Sequence, residues 1–399
     1  MPRSRHRVLV VFVDALGPSQ LERCGELFTS LPHRRSLRGI LGYSSGALPT
    51  ILTGAPPSVH GRMCLFSKRG AGEPGLLAPL SWLGLLPRAV HERASLRRAL
   101  SRVLAGARGL TGYVALHRVP PEAFRWLDLP EREDLFQATR IGPARTFLAD
   151  ARSAGLTVFA SSWRQPEAER WASALDALAR TRPDLSFLYA TELDAALHAH
   201  GNREPVIGGV MTRLAPRVER AREILGADGS GLTTIVVGDH GMADVDATVD
   251  PRPLLAAIDL EHVFVDSTMM RVWGGGPALR RARGALERAG IGGAFLDAEA
   301  LRARRAPMDG GPFGEALWLL PEGVIFAPSF VGGRARGMHG YDLDAPSCFA
   351  ALASDDPLVL RAESLADIAG IVRERLAIPA PGGGTARRPE RPPFAPDAA

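Results

Sequence analysis

Four short runs of apolar and β-branched residues recur along the chain: Val8 to Val13, Leu156 to Ala160, Leu185 to Tyr189 and Thr233 to Val237. Such continuous runs lack the polar alternation of a strand with one wet face. They suit strands buried on both sides, as in a parallel sheet covered by helices above and below. Between them, Gln165 to Thr181 and Val206 to Leu225 bring apolar residues round at every third and fourth position, the spacing of a helix with one buried stripe. The order strand, helix, strand, helix predicts an α/β fold with a central, mostly parallel sheet flanked by helices.

Two stretches interrupt this rhythm. Residues 62–143 are rich in Gly, Pro, Leu and Arg and are expected to form a cap or lid insertion at the mouth of the sheet. Residues 250–336 are expected to form a second elaboration, adding strands at the sheet edge and part of a cap. The run 379–399 is rich in Gly, Pro and Arg with almost no core residues, which predicts a disordered tail and leaves 1–378 as the folded unit. With 399 residues, 46% of them hydrophobic, one large domain with elaborations is well supplied with core.

The formal charge of +5 does not point to a polynucleotide. Lys68 is the single lysine, the arginines are scattered, and no alternation of basic and aromatic residues marks a nucleic-acid track. Cys24, Cys64 and Cys348 are too few and too far apart for a disulfide framework or a zinc ribbon, so a reducing, cytoplasmic location is expected. The first apolar run is cut short by Asp14 and carries no cleavage site, so it reads as a strand rather than a leader. No apolar stretch reaches the length of a membrane span, so none is expected.

Acids and histidines cluster at the ends of the predicted strands, where an open parallel sheet gathers its active residues. Asp14 closes VLVVFV, and Asp239 with His240 closes TTIVVG, where Gly238 and Gly241 are expected to allow a sharp turn. The strand LSFLYA runs into TELDAALHAHG. A helix starting near Glu192 puts Asp194 and His198, four residues apart, on one face and turns His200 elsewhere. His339 lies between glycines in RGMHGYD. Taken singly, each of these is an ordinary turn residue, helix cap or surface histidine. Three carboxylates and three imidazoles together make a mixed oxygen and nitrogen donor set that suits zinc, with manganese or iron as alternatives.

In the same residues the chain resembles the alkaline phosphatase superfamily, most nearly its type I phosphodiesterase/nucleotide pyrophosphatase branch. The motifs run in the family's order from Asp14 to His339: VDALG, then GYSSGALPTILTGAPPSVHG, TELDAALH, DHGM and HGYD. The resemblance implies the alkaline-phosphatase-like sandwich with cap insertions, a hydrolase, and two divalent metal ions. It implies a nucleophile at the head of the helix ending in Thr53, which counts back to Ser44, with Ser45 the alternative. It implies that Asp194, His198 and His339 hold one metal, and that Asp14, Asp239, His240 and the serine oxygen hold the other. His60 receives no ligand role and is read as structural. Gly46 and Leu48 stand where sulfatases carry Pro and Arg, which argues against a sulfatase.

On this reading, two divalent cations bring four positive charges, and three aspartates with a serine alkoxide bring four negative ones. The site is then near neutral before an anionic phosphate arrives. The expected activity is hydrolysis of a phosphodiester or nucleotide pyrophosphate through a phosphoserine, on a small phosphorylated substrate. The alternatives are a phosphomonoesterase, phosphonate hydrolase or phosphomutase on the same metals, and a non-catalytic metal- or phosphate-binding protein. The leaving group and the oligomeric state are not written in the sequence.

Overall fold

A computed structural model describes residues 6–379, apart from 71, 73–74, 76, most of 86–115, 132–133, 163–164 and 259. The expected tail and much of the first insertion lie outside the described residues. The strands of the central sheet are β1 (Arg7–Val13), β2 (His33–Leu37), β3 (Val158–Ala160), β4 (Leu185–Ala190) and β5 (Leu232–Val237). A later sheet contributes β6 (His262–Val265), β7 (Met269–Trp273), β8 (Ala294–Leu296) and β9 (Ala316–Leu319), after which β10 (Ala350–Ser354) returns to the central one. The central order is β2-β10-β5-β1-β4-β3. Strands β5, β1, β4 and β3 run parallel, and β10 pairs antiparallel with both β5 and β2.

The two faces of β1 divide the core. Val8, Val10 and Phe12 point to one side, where α2 (Ser44–Thr53), α3 (Phe147–Ser153) and α8 (Asp367–Arg375) cover them with Ile51, Leu148 and Ile368. Leu9, Val11 and Val13 point to the other, against α1 (Pro18–Arg23), α4 (Glu167–Thr181), α5 (Glu192–His200) and α6 (Glu204–Gly226) through Leu21, Trp171, Leu193 and Met211. Each fully buried aliphatic side chain contributes about 1.5–3 kcal/mol over its exposed state, so the strand with both faces covered anchors the sandwich.

The 250–336 segment does not extend the central sheet as expected. Its strands form a separate four-stranded antiparallel sheet, β6-β7-β9-β8, with its own core against α7 (Gly275–Arg288). On that side of the sheet stand instead β10, an alanine-rich run that carries no strand signal and pairs on both flanks, and beyond it the arginine-rich β2, largely exposed as an edge strand protected by charge should be. No helix among the described residues is long and apolar enough to cross a membrane.

Candidate active site

Strand register brings the first acids together. Val13 pairs with Ala190 and Phe12 with Val237, so β1, β4 and β5 end in one layer. Asp14 follows directly, its amide bonded to the Ala190 carbonyl at 2.9 Å, and Asp239 lies two residues beyond β5. The Asp239 carboxylate accepts from the amides of Ala15 and His240, both at 3.1 Å, which ties the two strand ends to each other. Asp194 and His198 rise on one face of α5, with His198 Nε2 at 3.2 Å from Asp194 Oδ1. His339 arrives from far along the chain because Gly337–Met338 pairs with Ala243–Asp244, just after the His240 loop. Its ring stacks on that of His240 with centroids 3.5 Å apart.

All six residues therefore meet. Asp194, His198 and His339 offer donor atoms within 4.8 Å of one another, and so do Asp14, Asp194 and His240. Asp194 belongs to both sets, whereas the resemblance assigned it to one. Asp239 Oδ2 lies 3.2 Å from His240 Nε2, beside the second set. Two carboxylate oxygens, Asp194 Oδ1 and Asp239 Oδ2, are buried with no hydrogen-bond donor, the state expected of atoms whose partner is a cation. The histidines are oriented for the same role. His198 Nδ1 lies 2.8 Å from the Gly337 carbonyl and His240 Nδ1 lies 2.8 Å from the Gly241 carbonyl, so in each case Nδ1–H donates to the backbone and Nε2 is the nitrogen turned to the site.

Ser44 is the first residue of α2, and its Oγ lies 3.0 Å from His240 Nε2 and 3.4 Å from Asp14 Oδ1. Ser45 turns away and donates to the Met63 carbonyl at 3.4 Å. His60 is structural. Its ring lies 2.9 Å from Thr50 Oγ1 inside α2 and accepts from the Arg62 amide, at 1% exposure. Burial first, and Arg62 second, lower its pKa to about 3.

Electrostatically the site is unbalanced by itself. Burial, then Asp239 and Asp194, push Asp14 well above the usual carboxylate range. Burial would lower His240, but Asp239, Asp14 and Asp194 outweigh it and raise it to about 9. Burial, with His240 and His198 adding to it, drives His339 well below the usual imidazole value. Burial opposes the Asp194–His198 pair, yet the contact holds the acid low and the imidazole high. Cations would relieve the repulsion among the acids, and the donor chemistry fits them.

Two residues at the site escaped the sequence reading. The Tyr189 hydroxyl donates to Asp14 Oδ2 at 3.2 Å. Tyr43 lies edge-on to His339 at 5.6 Å, and its hydroxyl meets Thr268 Oγ1 at 2.8 Å. Thr268 in turn donates to the Gly340 carbonyl at 2.6 Å, which links the second sheet to the His339 loop. Both tyrosines adjoin motif residues, but a ring at a strand end or before a helix reads as core, so only the fold reveals them.

Residues 114–297 match the family model for type I phosphodiesterase / nucleotide pyrophosphatase. The chain is similar to human ectonucleotide pyrophosphatase/phosphodiesterase 5, at 13% identity and a TM-score of 0.67, over 95% of this chain and 96% of that one. It is likewise similar to an inactive variant of the murine protein in complex with AMP, at 15% identity and a TM-score of 0.66, over 95% and 97% of the two chains. No curated protein matches it.

Proposed function

We propose that this chain belongs to the type I phosphodiesterase/nucleotide pyrophosphatase branch of the alkaline phosphatase superfamily, and that it hydrolyses phosphodiesters or nucleotide pyrophosphates through a phosphoserine at Ser44. One observation carries this reading: the Ser44 hydroxyl sits within 3.4 Å of both Asp14 and His240, at the edge of two overlapping donor sets. Asp194, His198 and His339 would hold one divalent ion, and Asp14, Asp239 and His240 the other. Asp194 lies close enough to influence both. Bound there, such ions supply Lewis-acid polarisation of the phosphate and lower the pKa of the hydroxyl. Zinc suits the three imidazoles best.

The chain's own part is positional. Ser44 Oγ attacks phosphorus, the bond to the leaving oxygen breaks, and water then cleaves the phosphoserine. His198 and His240 are held in one tautomer by backbone carbonyls, and the Tyr189 hydroxyl holds Asp14. The AMP complex of the murine neighbour supports a nucleotide as the first substrate to try. Three free, buried cysteines support a reducing compartment, which we propose to be the cytoplasm.

The test compares bis(p-nitrophenyl) phosphate, p-nitrophenyl phosphate and a dinucleoside pyrophosphate on metal-loaded protein. Diester or pyrophosphate turnover above monoester turnover is expected, and Ser44→Ala should lower it by on the order of 10³-fold or more with its zinc content kept. Faster monoester cleavage would move the assignment to a phosphomonoesterase.

A further inference from the structure

The helix that carries Asp194 and His198 does not cap itself. Thr191, at the N-cap of α5, makes no side-chain cap hydrogen bond. Its place is taken from outside by Glu167, the first residue of α4. One oxygen, Glu167 Oε2, accepts from the Thr191 amide at 2.6 Å, the Glu192 amide at 2.7 Å and the Thr191 hydroxyl at 3.2 Å. A carboxylate on three donors at a helix N-terminus fixes both the start of that helix and its rotation about its axis. That rotation decides where Asp194 and His198 point.

One turn further along α4 stands Arg170, whose side chain is 4% exposed. Its guanidinium lies 5.2 Å from the centre of the Tyr189 ring and donates to Thr191 Oγ1 at 3.1 Å. The Tyr189 hydroxyl, at the other end of that ring, donates to Asp14. Arg170 Nε is buried without a hydrogen-bond partner, so the residue is costly to bury, and fold stability alone is a poor account of it. Its contacts lead to the site: through Thr191 and an ion pair with Glu167 at 3.8 Å to α5, and through Tyr189 to Asp14.

We propose that Glu167 and Arg170 are positioning residues that set both halves of the metal site from one turn of α4. Glu167 acts through the cap of α5, and Arg170 acts through Tyr189. This rests on the metal-site reading above.

The test measures zinc affinity, by competition with a chromophoric chelator, together with kcat, KM and thermal midpoint on the full chain. Glu167→Ala should weaken zinc binding by about 10- to 100-fold, the usual cost of losing a group that orients ligands. Glu167→Gln, which keeps an acceptor without the charge, should fall between the two, and it carries the test if the alanine variant does not fold. Arg170→Met and Tyr189→Phe should each lower kcat, and the double variant should be no worse than the poorer single one. Exposed Glu169 on the same turn supplies the control, and Glu169→Ala should leave zinc affinity unchanged. Wild-type zinc affinity in Glu167→Ala or Glu167→Gln would overturn the inference and leave the site reading standing. A wild-type protein that binds no zinc would instead overturn the site reading, and this inference with it.

Discussion

Ser44 and Ser45 are adjacent, chemically identical, and separated by about 100° of helical rotation. That rotation decides everything between them: one hydroxyl faces His240 and Asp14, the other the Met63 carbonyl. Ser45→Ala should therefore keep diester hydrolysis within about threefold of wild type, in contrast to Ser44→Ala, because its hydroxyl makes only one ordinary hydrogen bond. His60 shows the opposite case, a histidine inside a motif whose work is packing. Its pKa falls from 6.5 unfolded to about 3 folded, so the unfolded chain binds the extra proton between those values. Stability from this group is present above pH 6.5 and is lost as pH falls toward 3, with a slope of up to about 1.4 kcal/mol per pH unit. Urea unfolding at pH 7.5 and 5 should show a larger loss in wild type than in His60→Gln.

At the scale of elements, the acids meet because three parallel strands end level, and that was legible. Continuous apolar runs identify central strands, and an acid directly after each run falls at the sheet's carboxyl edge. The four-residue spacing of Asp194 and His198 was legible for a similar reason, since a helix returns such residues to one face. The glycines were read only in part. Gly238 was expected to serve a sharp turn, but a Cβ there would lie 2.1 Å from the Leu16 carbonyl oxygen, so its purpose is the close approach of two backbones. Gly340 does adopt a left-handed φ of +88°, and a Cβ there would also meet the Tyr43 ring. Gly238→Ala must push the Asp239–His240 loop away from Asp14. A shift of about 1 Å there should reduce kcat/KM by about 10²-fold, a loss that steady-state kinetics with saturating zinc would read.

Across the whole molecule, a second sheet stands beside the first and reaches the site through Tyr43, Thr268 and Gly340. Its interior holds an ion pair, Arg271 with Asp266 at 2.6 Å, with side-chain exposures of 0% and 2%. The guanidinium also lies over the rings of Phe264, Trp273 and Phe313 and donates to the Phe66 carbonyl. Arg271→Met should destabilise the protein by about 3–5 kcal/mol, because Asp266 is left buried and unpaired. Arg271→Met combined with Asp266→Asn should recover part of that in chemical denaturation.

The sequence by itself determined the parallel core and the acids and imidazoles that its strand ends and one helix face bring together, because strand burial and helix periodicity are local properties. Only the tertiary structure decided that β10 and then β2 complete the sheet beyond β5, that residues 250–336 close into a sheet of their own, and that α4 caps α5. These depend on which surfaces meet across long stretches of chain. A run such as AALAS or HRRSL has no local preference strong enough to announce its partner.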